Sequence, residues 1–506
     1  MSDRCVTRLG WACLCGLLLF RLWFSAVLPM SGDEAYFVLW GEHPSGGYYD
    51  HPPMIGWWLS GLLTLSNAEW VLRLPSTLLP LLLAAGGWWL VRPHGKTRAR
   101  WAAVLILLQP ANVWNVLITT DTPVILFSWL SILAYVAALR CTGRGAFLAW
   151  HGASGVLLGL AFLGKYFAAL LGVAYLVHVV VVRRDERRWS SFLLLLAASL
   201  PGPIYNLWWN SDHCWVNLLF NFVNRQEDAG FSWNKPLLYA ISILYLATPW
   251  LMWALFRNRA ALARVIRGSI EAKLALCAAL VPLAMFALIS LGKVVGLHWL
   301  LSFIPLLAVL AALSLDENAL GRLACWSGGL ALLHVVAFSV AVCLPHSVWQ
   351  NTRIGDGMAL RAQIDKVKEQ LAPFSSDYLL AMESYSSGSY LAYQLQRHVA
   401  VFGRGSFYAR QDDFLTDWAK QDKGNILVFS VSPPKEADFR PYFDRIELRR
   451  FDVDGQSYHL VFGQGFNYPA YRDQILAGIR DRFYHRPSWL PRCECDFVER
   501  YFPENR

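Results

Sequence analysis

The feature that most restricts this chain is a succession of apolar stretches, each long enough to cross about 30 Å of hydrocarbon. They lie near residues 11–29, 73–91, 101–118, 122–139, 148–164, 166–182, 190–208, 237–255, 274–292, 299–315 and 323–344, about eleven in all. A chain so built is expected to be a polytopic α-helical membrane protein. Composition agrees, since only 16% of residues are charged, whereas soluble domains run near a quarter. The 24 Trp residues suit a protein with many helix ends at the membrane interface.

A formal charge of +9 does not indicate nucleic acid, because the Arg residues fall mainly in short loops between apolar spans. That is the bias of cytoplasmic loops. The first apolar run is flanked by Arg4, Arg8 and Arg21 and lacks a small-residue cleavage site, so it reads as an uncleaved anchor. With a cytoplasmic amino terminus, the loops holding Arg92 to Arg100 and Arg183 to Arg188 face inward. The segment Met30 to Leu72, which contains no Lys or Arg, then faces outward. Every polar oddity lands on that outer side: Asp33, Glu34, Asp50 and His51, then Thr119-Thr120-Asp121, Lys165-Tyr166, residues 210–236, and Lys293 with His298. Ionisable groups beside hydrocarbon mark a site, because burying unpaired charge there is costly.

After about residue 345 charged residues become frequent and apolar runs shorten to strand length. The division expected is a transmembrane catalytic domain over 1–344 and a soluble α/β domain over 345–506. In the latter, helix-like stretches at 358–371 and 385–396 alternate with strands Tyr378 to Met382, Val399 to Phe402, Ile426 to Ser430, Ile446 to Phe451 and Tyr458 to Phe462. Asp454-Gly455 is a hairpin turn between the last two. Cys13, Cys15, Cys277, Cys325 and Cys343 sit in apolar runs as small hydrophobes, and Cys493 and Cys495 are left without assigned partners.

The motifs Gly32-Asp33-Glu34-Ala35-Tyr36, Gly47-Tyr48-Tyr49-Asp50-His51-Pro52-Pro53-Met54, Thr119-Thr120-Asp121-Thr122-Pro123, Gly164-Lys165-Tyr166 and His298-Trp299 occur in that order. Together they resemble the polyprenyl-phosphate-sugar glycosyltransferases of the C superfamily, which include protein O-mannosyltransferases and lipid A aminoarabinose transferases. The resemblance covers the membrane half and thins over the carboxy-terminal region. It implies a GT-C-type fold and transfer of a sugar from a polyprenyl-phosphate donor to a lipid or glycan acceptor, on the outer face of a bacterial inner membrane, with the carboxy-terminal domain in the periplasm.

By that resemblance Asp33 is the essential carboxylate, acting as general base toward a hydroxyl acceptor or orienting a phosphate one. Glu34 could assist Asp33 or bind a cation, or serve as a helix amino-terminal charge. Asp121 both starts a helix and joins the catalytic set. Lys165, Arg225, Lys293 and His51 are candidate contacts for the donor phosphate; Arg225 could instead pair with Glu227 or Asp228. Tyr49, Tyr166, His298 and Trp299 are candidate substrate contacts. Aminoarabinose-type relatives carry Glu-Lys where this chain has Asp50-His51, and Asp50 is a candidate ligand for a divalent metal ion. The rival classes are a transporter, which places ionisable groups mid-span in internally repeated helices, and a non-catalytic assembly subunit, which would tolerate loss of Asp33.

Overall fold

The structure, a computed structural model, describes residues 3–226, 230–345, 348, 359–374 and 376–503. All eleven apolar stretches carry helix, but they are not eleven equal spans. Among the described residues seven helices are long and apolar enough to cross a membrane: Val6–Val27, Glu69–His94, Asp121–Arg140, Arg144–Phe162, Arg188–Ser211, Ile270–Ser290 and Glu317–Cys343. An eighth is a pair, Asn234–Ala247 and Pro249–Arg257, bent by 85°. Stretch 101–118 breaks into Lys96–Leu107 and Pro110–Trp114, 166–182 holds the shorter Tyr166–Val182, and 299–315 holds only Pro305–Ser314. In two of these three a proline, Pro110 or Pro305, opens the helix after the break, where its missing N–H has no intrahelical partner to lose.

Each break frees backbone carbonyls that have no water to meet, so side chains must satisfy them. Gln109 Nε2 donates to the Ile304 carbonyl, and Asn112 Nδ2 to that of Ile106. Arg98 Nη1 donates to the carbonyls of Ala312 and Leu313 at the end of the short helix. Arg21, expected to flank the first span, lies inside it and is buried. Its guanidinium donates to four carbonyls, those of Thr77, Ser76, Asn112 and Asn115. The broken stretch thus uses an arginine inside the helical bundle as its polar partner.

The carboxy-terminal strands are β1 (Leu379–Met382), β2 (Ala400–Val401), β3 (Ile426–Ser430), β4 (Phe443–Val453) and β5 (Gln456–Phe466). They form one sheet in the order β2-β1-β3-β5-β4, parallel at β1/β2 and β1/β3 and antiparallel at β3/β5 and β5/β4. All five expected strands are present. Val453 pairs with Gln456 across the Asp454-Gly455 turn, where both turn residues have positive φ, 46° and 82°, as a tight hairpin requires. Helices Ile364–Leu371 and Tyr385–Leu395 match the two helical stretches; residue 358 and most of the expected boundary after 345 lie outside the described residues.

Central strand β3 is apolar on both faces, as a strand covered on both sides must be. Leu427 and Phe429 share a hydrophobic cluster with Met30, Tyr36, Val38 and Trp40 of the first loop, whereas Ile426 and Val428 share one with Tyr49, Trp209 and Phe220. The sheet and the first loop therefore have a common core. A disulfide between Cys214 and Cys495 adds a covalent tie, giving Cys495 the partner that its sequence context did not reveal. Trp215 Nε1 donates to the Pro491 carbonyl beside it.

One ion pair fixes the first loop itself. Arg73 donates from Nε and Nη2 to the two oxygens of Glu34, at 2.8 and 2.9 Å, with both side chains essentially unexposed. Replacing Arg73 with Met strands a buried carboxylate, so the variant should lose about 3–5 kcal/mol of stability. Thermal unfolding of the detergent-purified protein measures this, and an unchanged midpoint would show that Glu34 has another source of compensation.

Candidate active site

Two adjoining cavities of about 510 and 570 Å³ open where the helix ends meet the first loop and the carboxy-terminal region. Lys165, Arg225 and Trp299 stand in the walls of both. The first cavity is acidic, with Asp33, Glu34, Asp50 and Asp121 beside His51 and His298. The second is basic: Lys165, Arg225, Lys235, Lys293 and Arg482 line it, and among the described residues no carboxylate does.

Local sequence explains how these groups are presented. Ser31 caps the helix Gly32–Glu42: its hydroxyl accepts the Glu34 N–H while the Glu34 carboxylate accepts the Ser31 N–H, a reciprocal pair that satisfies two exposed helix donors. Asp33 is thereby placed in the first turn with its side chain exposed to the cavity. Tyr48 to His51 form a turn whose backbone is gripped by an asparagine stripe. Asn217 Nδ2 donates to the carbonyls of Tyr48, Tyr49 and His51, and Asn221 Nδ2 to that of Asp50. Asn224 Nδ2 donates to the Tyr49 hydroxyl at 2.9 Å. These asparagines were not picked out from the sequence, although their spacing of four and then three residues in an otherwise aromatic and aliphatic run is a legible signal.

Several expected residues come together, and several take different partners. Asp121 opens the helix Asp121–Arg140 and is buried; Lys165 Nζ donates to its Oδ1 and Oδ2 at 3.2 and 3.0 Å. Lys165 therefore already has a counterion, and it stands at the junction of the two cavities rather than reaching to the interface. His298 Nε2 lies 3.7 Å from Asp121 Oδ2. Half of the His298 side chain faces the cavity, yet enclosure by protein holds its imidazole below the usual histidine range despite Asp121. Arg225 lies with its guanidinium 5.3 Å from the Trp299 ring centroid and has no ion pair among the described residues; Glu227 and Asp228 lie outside them. Burial, then the nearby charges of Arg225 and Lys235, lower the Lys293 pKa, the signature of cations crowded without an anion. Tyr166 faces the basic cavity and donates its hydroxyl to Asn206 Oδ1 at 2.8 Å.

Two expectations are corrected. Glu34 does not stand free beside Asp33. Both its oxygens bind the cation of Arg73 and Oε1 also accepts the Ile118 N–H at 3.1 Å, so of its readings the structure shows the cation contact and the helix-start charge, and the carboxylate ties the loop to its neighbours. Tyr49 is fully buried, with its hydroxyl on Asn224 and its N–H on Gln411, and offers no surface to a substrate. Asp50 is buried, its Oδ1 has no hydrogen-bond partner among the described residues, and its Oδ2 lies 3.2 Å from His51 Nδ1. Among those residues no group of three or more His, Cys, Asp and Glu side chains is arranged to hold a metal ion. Tyr385 and Tyr408, from the carboxy-terminal region, line the acidic cavity, and no local sequence signal distinguished them.

The membrane-helix bundle with acids and bases gathered at one site shares its fold with a solved structure. The chain superposes on ArnT from Cupriavidus metallidurans, in the apo state and bound to undecaprenyl phosphate, with a TM-score of 0.63 over 89% of this chain and 98% of that one at 15% identity. Residues 50–209 match the family model described as dolichyl-phosphate-mannose-protein mannosyltransferase. A curated relative, the lipid A galacturonosyltransferase RgtD of Rhizobium johnstonii, is 28% identical over 213 residues, 39% of this chain and 44% of that protein. The chain thus spans less than half the length of that relative.

The buried Lys165–Asp121 pair has a consequence for stability. Asp121→Asn and Lys165→Met should each destabilise the protein, and the double variant should be less unstable than their sum. The expected coupling is about 0.5–3 kcal/mol, because the second change removes the charge that the first left unpaired. Unfolding of the four proteins measures the cycle, and additive losses would mean the contact contributes nothing.

Proposed function

We infer that this protein moves a sugar from a polyprenyl-phosphate donor to a cell-envelope acceptor, with lipid A, lipopolysaccharide, another glycan or a protein as the candidates. The observation that carries this inference is the abutment of an acidic and a basic cavity at the helix ends, joined through Lys165. A lipid-linked sugar has its tail in hydrocarbon and its phosphate at the interface, so cations at that depth meet the phosphate. The reacting sugar carbon then lies toward the acids. For a hydroxyl acceptor, Asp33 takes the proton as the acceptor oxygen bonds to the anomeric carbon. The carbon–oxygen bond to the donor phosphate breaks with inversion, and the phosphate leaves with the electron pair. Lys165, Arg225 and Lys293 neutralise the charge that grows on it, and His298 and Trp299 wall the sugar position.

On this reading the site faces the periplasm across the inner membrane. The absence of Lys and Arg between Met30 and Leu72 supports this orientation, as does the Cys214–Cys495 disulfide, since such bonds persist in oxidising compartments. Reporter fusions should be active outside at Arg450 and inside at Arg187; the reverse pattern would overturn the assignment.

Mass spectrometry of envelope lipids and glycans, with and without the gene, should reveal one lost sugar mass and so identify donor sugar and acceptor together. In cells lacking the native gene, Asp33→Asn should insert and fold yet fail to restore that mass, with turnover down by about 10²-fold or more. Restoration by Asp33→Asn at normal expression would remove Asp33 from the chemistry. Lys165→Ala should lower turnover and raise the donor requirement together, whereas Lys165→Arg should keep part of both. A defect confined to the acceptor dependence would reject the phosphate role.

A further inference from the structure

Asp33 stands exposed in the acidic cavity, and within its own loop no described side chain holds it. An exposed carboxylate on a helix's first turn samples several rotamers, while proton abstraction demands one. The contact that selects a rotamer comes from 352 residues away: the Tyr385 hydroxyl donates to Asp33 Oδ1 at 2.9 Å. Among the described residues Oδ2 receives no hydrogen bond and is left to the cavity.

Tyr385 is itself built in rather than loosely draped. It opens the helix Tyr385–Leu395, whose Ser384 cap accepts the Ser387 N–H. That helix packs on the first-loop helix so closely that a Cβ at Gly32 would collide with the Ser386 side chain and lie 2.5 Å from its carbonyl oxygen. Only glycine beside Asp33 permits this approach. The Tyr385 ring meets Tyr36 edge-on at 5.1 Å, and the Tyr36 hydroxyl donates to the Tyr408 carbonyl at 2.9 Å. Gln411 then accepts the Tyr49 N–H at 2.8 Å, so both acid-bearing pieces of the first loop are held from the same region. Burial, and next the charge of Asp33, raise the Tyr385 hydroxyl well above the usual tyrosine range, so it remains a donor at any working pH.

We propose that Tyr385 is a positioning residue for Asp33: its hydroxyl fixes Oδ1 and thereby turns Oδ2 toward the acceptor, making the carboxy-terminal region part of the active site. Resting on the catalytic role given to Asp33 above, this assigns the region a function in the reaction that a detachable outer domain would not have. A hydrogen bond to a charged group that forms only when the carboxylate is correctly aimed acts on turnover, not on donor affinity.

The test uses the full-length protein in nanodiscs, with the detergent-solubilised total envelope fraction of cells lacking the gene as substrate, since that fraction contains the unconverted donor and acceptor whether the acceptor is a lipid, a glycan or a protein. Product is counted by mass spectrometry at saturating amounts of that fraction and at serial dilutions. Tyr385→Phe should lower the saturated rate about 10- to 100-fold, leave the half-saturating dilution within twofold, and leave the unfolding midpoint unchanged. Adding Tyr385→Phe to Asp33→Asn should cost nothing further, because the group being aimed is already gone. Tyr385→His, which can donate from a shorter ring, should recover part of the loss. A normal rate in Tyr385→Phe, or an equal further loss on the Asp33→Asn background, would overturn the proposal. Full activity in Asp33→Asn alone would instead overturn the catalytic role on which it rests, so the two failures are distinct.

Discussion

The architecture of the site depends on one buried ion pair. Glu34 and Arg73 use nearly every polar atom they have. The carboxylate takes the guanidinium, the Ser31 N–H and the Ile118 N–H, while Arg73 Nη1 also donates to the carbonyls of Ser25 and Leu28. Four segments meet there: the end of the first span, the first-loop helix, the start of the second span, and the loop that leads to Asp121. A buried pair so fully hydrogen-bonded offsets the cost of removing both charges from water, and either member alone would not. Asp33, one residue earlier, owes its exposure to this arrangement, because the cap and the ion pair fix the helix phase that turns it outward.

Around that anchor the charges separate. Acids line one cavity and bases the next, with Lys165 and Asp121 paired at the boundary. Burial lowers the Lys293 pKa most, and the charges of Arg225 and Lys235 in the same wall lower it further. An anion entering that cavity meets cations and, among its described lining residues, no carboxylate, which is the ground for the phosphate contact proposed above.

Much of this was legible in the sequence where the signal was local. Apolar run length placed the helices, the Asp454-Gly455 turn placed the last hairpin, and β3 announced itself as a short β-branched and aromatic run. The clustering of Asp33, Asp50, Asp121, Lys165, Arg225 and His298 followed from assigning loops to one side of the membrane. Run length failed where a break interrupted it, because a stretch can be apolar throughout and still not be one helix. Individual roles were less legible than membership. Glu34 and Asp33 are neighbours of the same chemistry, and only the position of Arg73, 39 residues away, separates the buried, paired carboxylate from the one exposed to the cavity. Tyr385, Asn217 and the Cys214–Cys495 bond likewise depend on contacts that close over long separations, and no window of sequence contains both partners.

The position of Lys165 links the two halves of the site. Its ammonium has three N–H donors, and the two oxygens of Asp121 engage it on one side while its wall position opens it to the basic cavity on the other. At about 4 Å and an effective dielectric near 20, each additional unit charge interacts with it by about 4 kcal/mol, enough for a phosphate to compete with Asp121. Asp121 has a second neighbour on its other side, His298 Nε2 at 3.7 Å, so the carboxylate at the boundary is shared between a lysine that faces the basic cavity and a histidine that faces the acidic one.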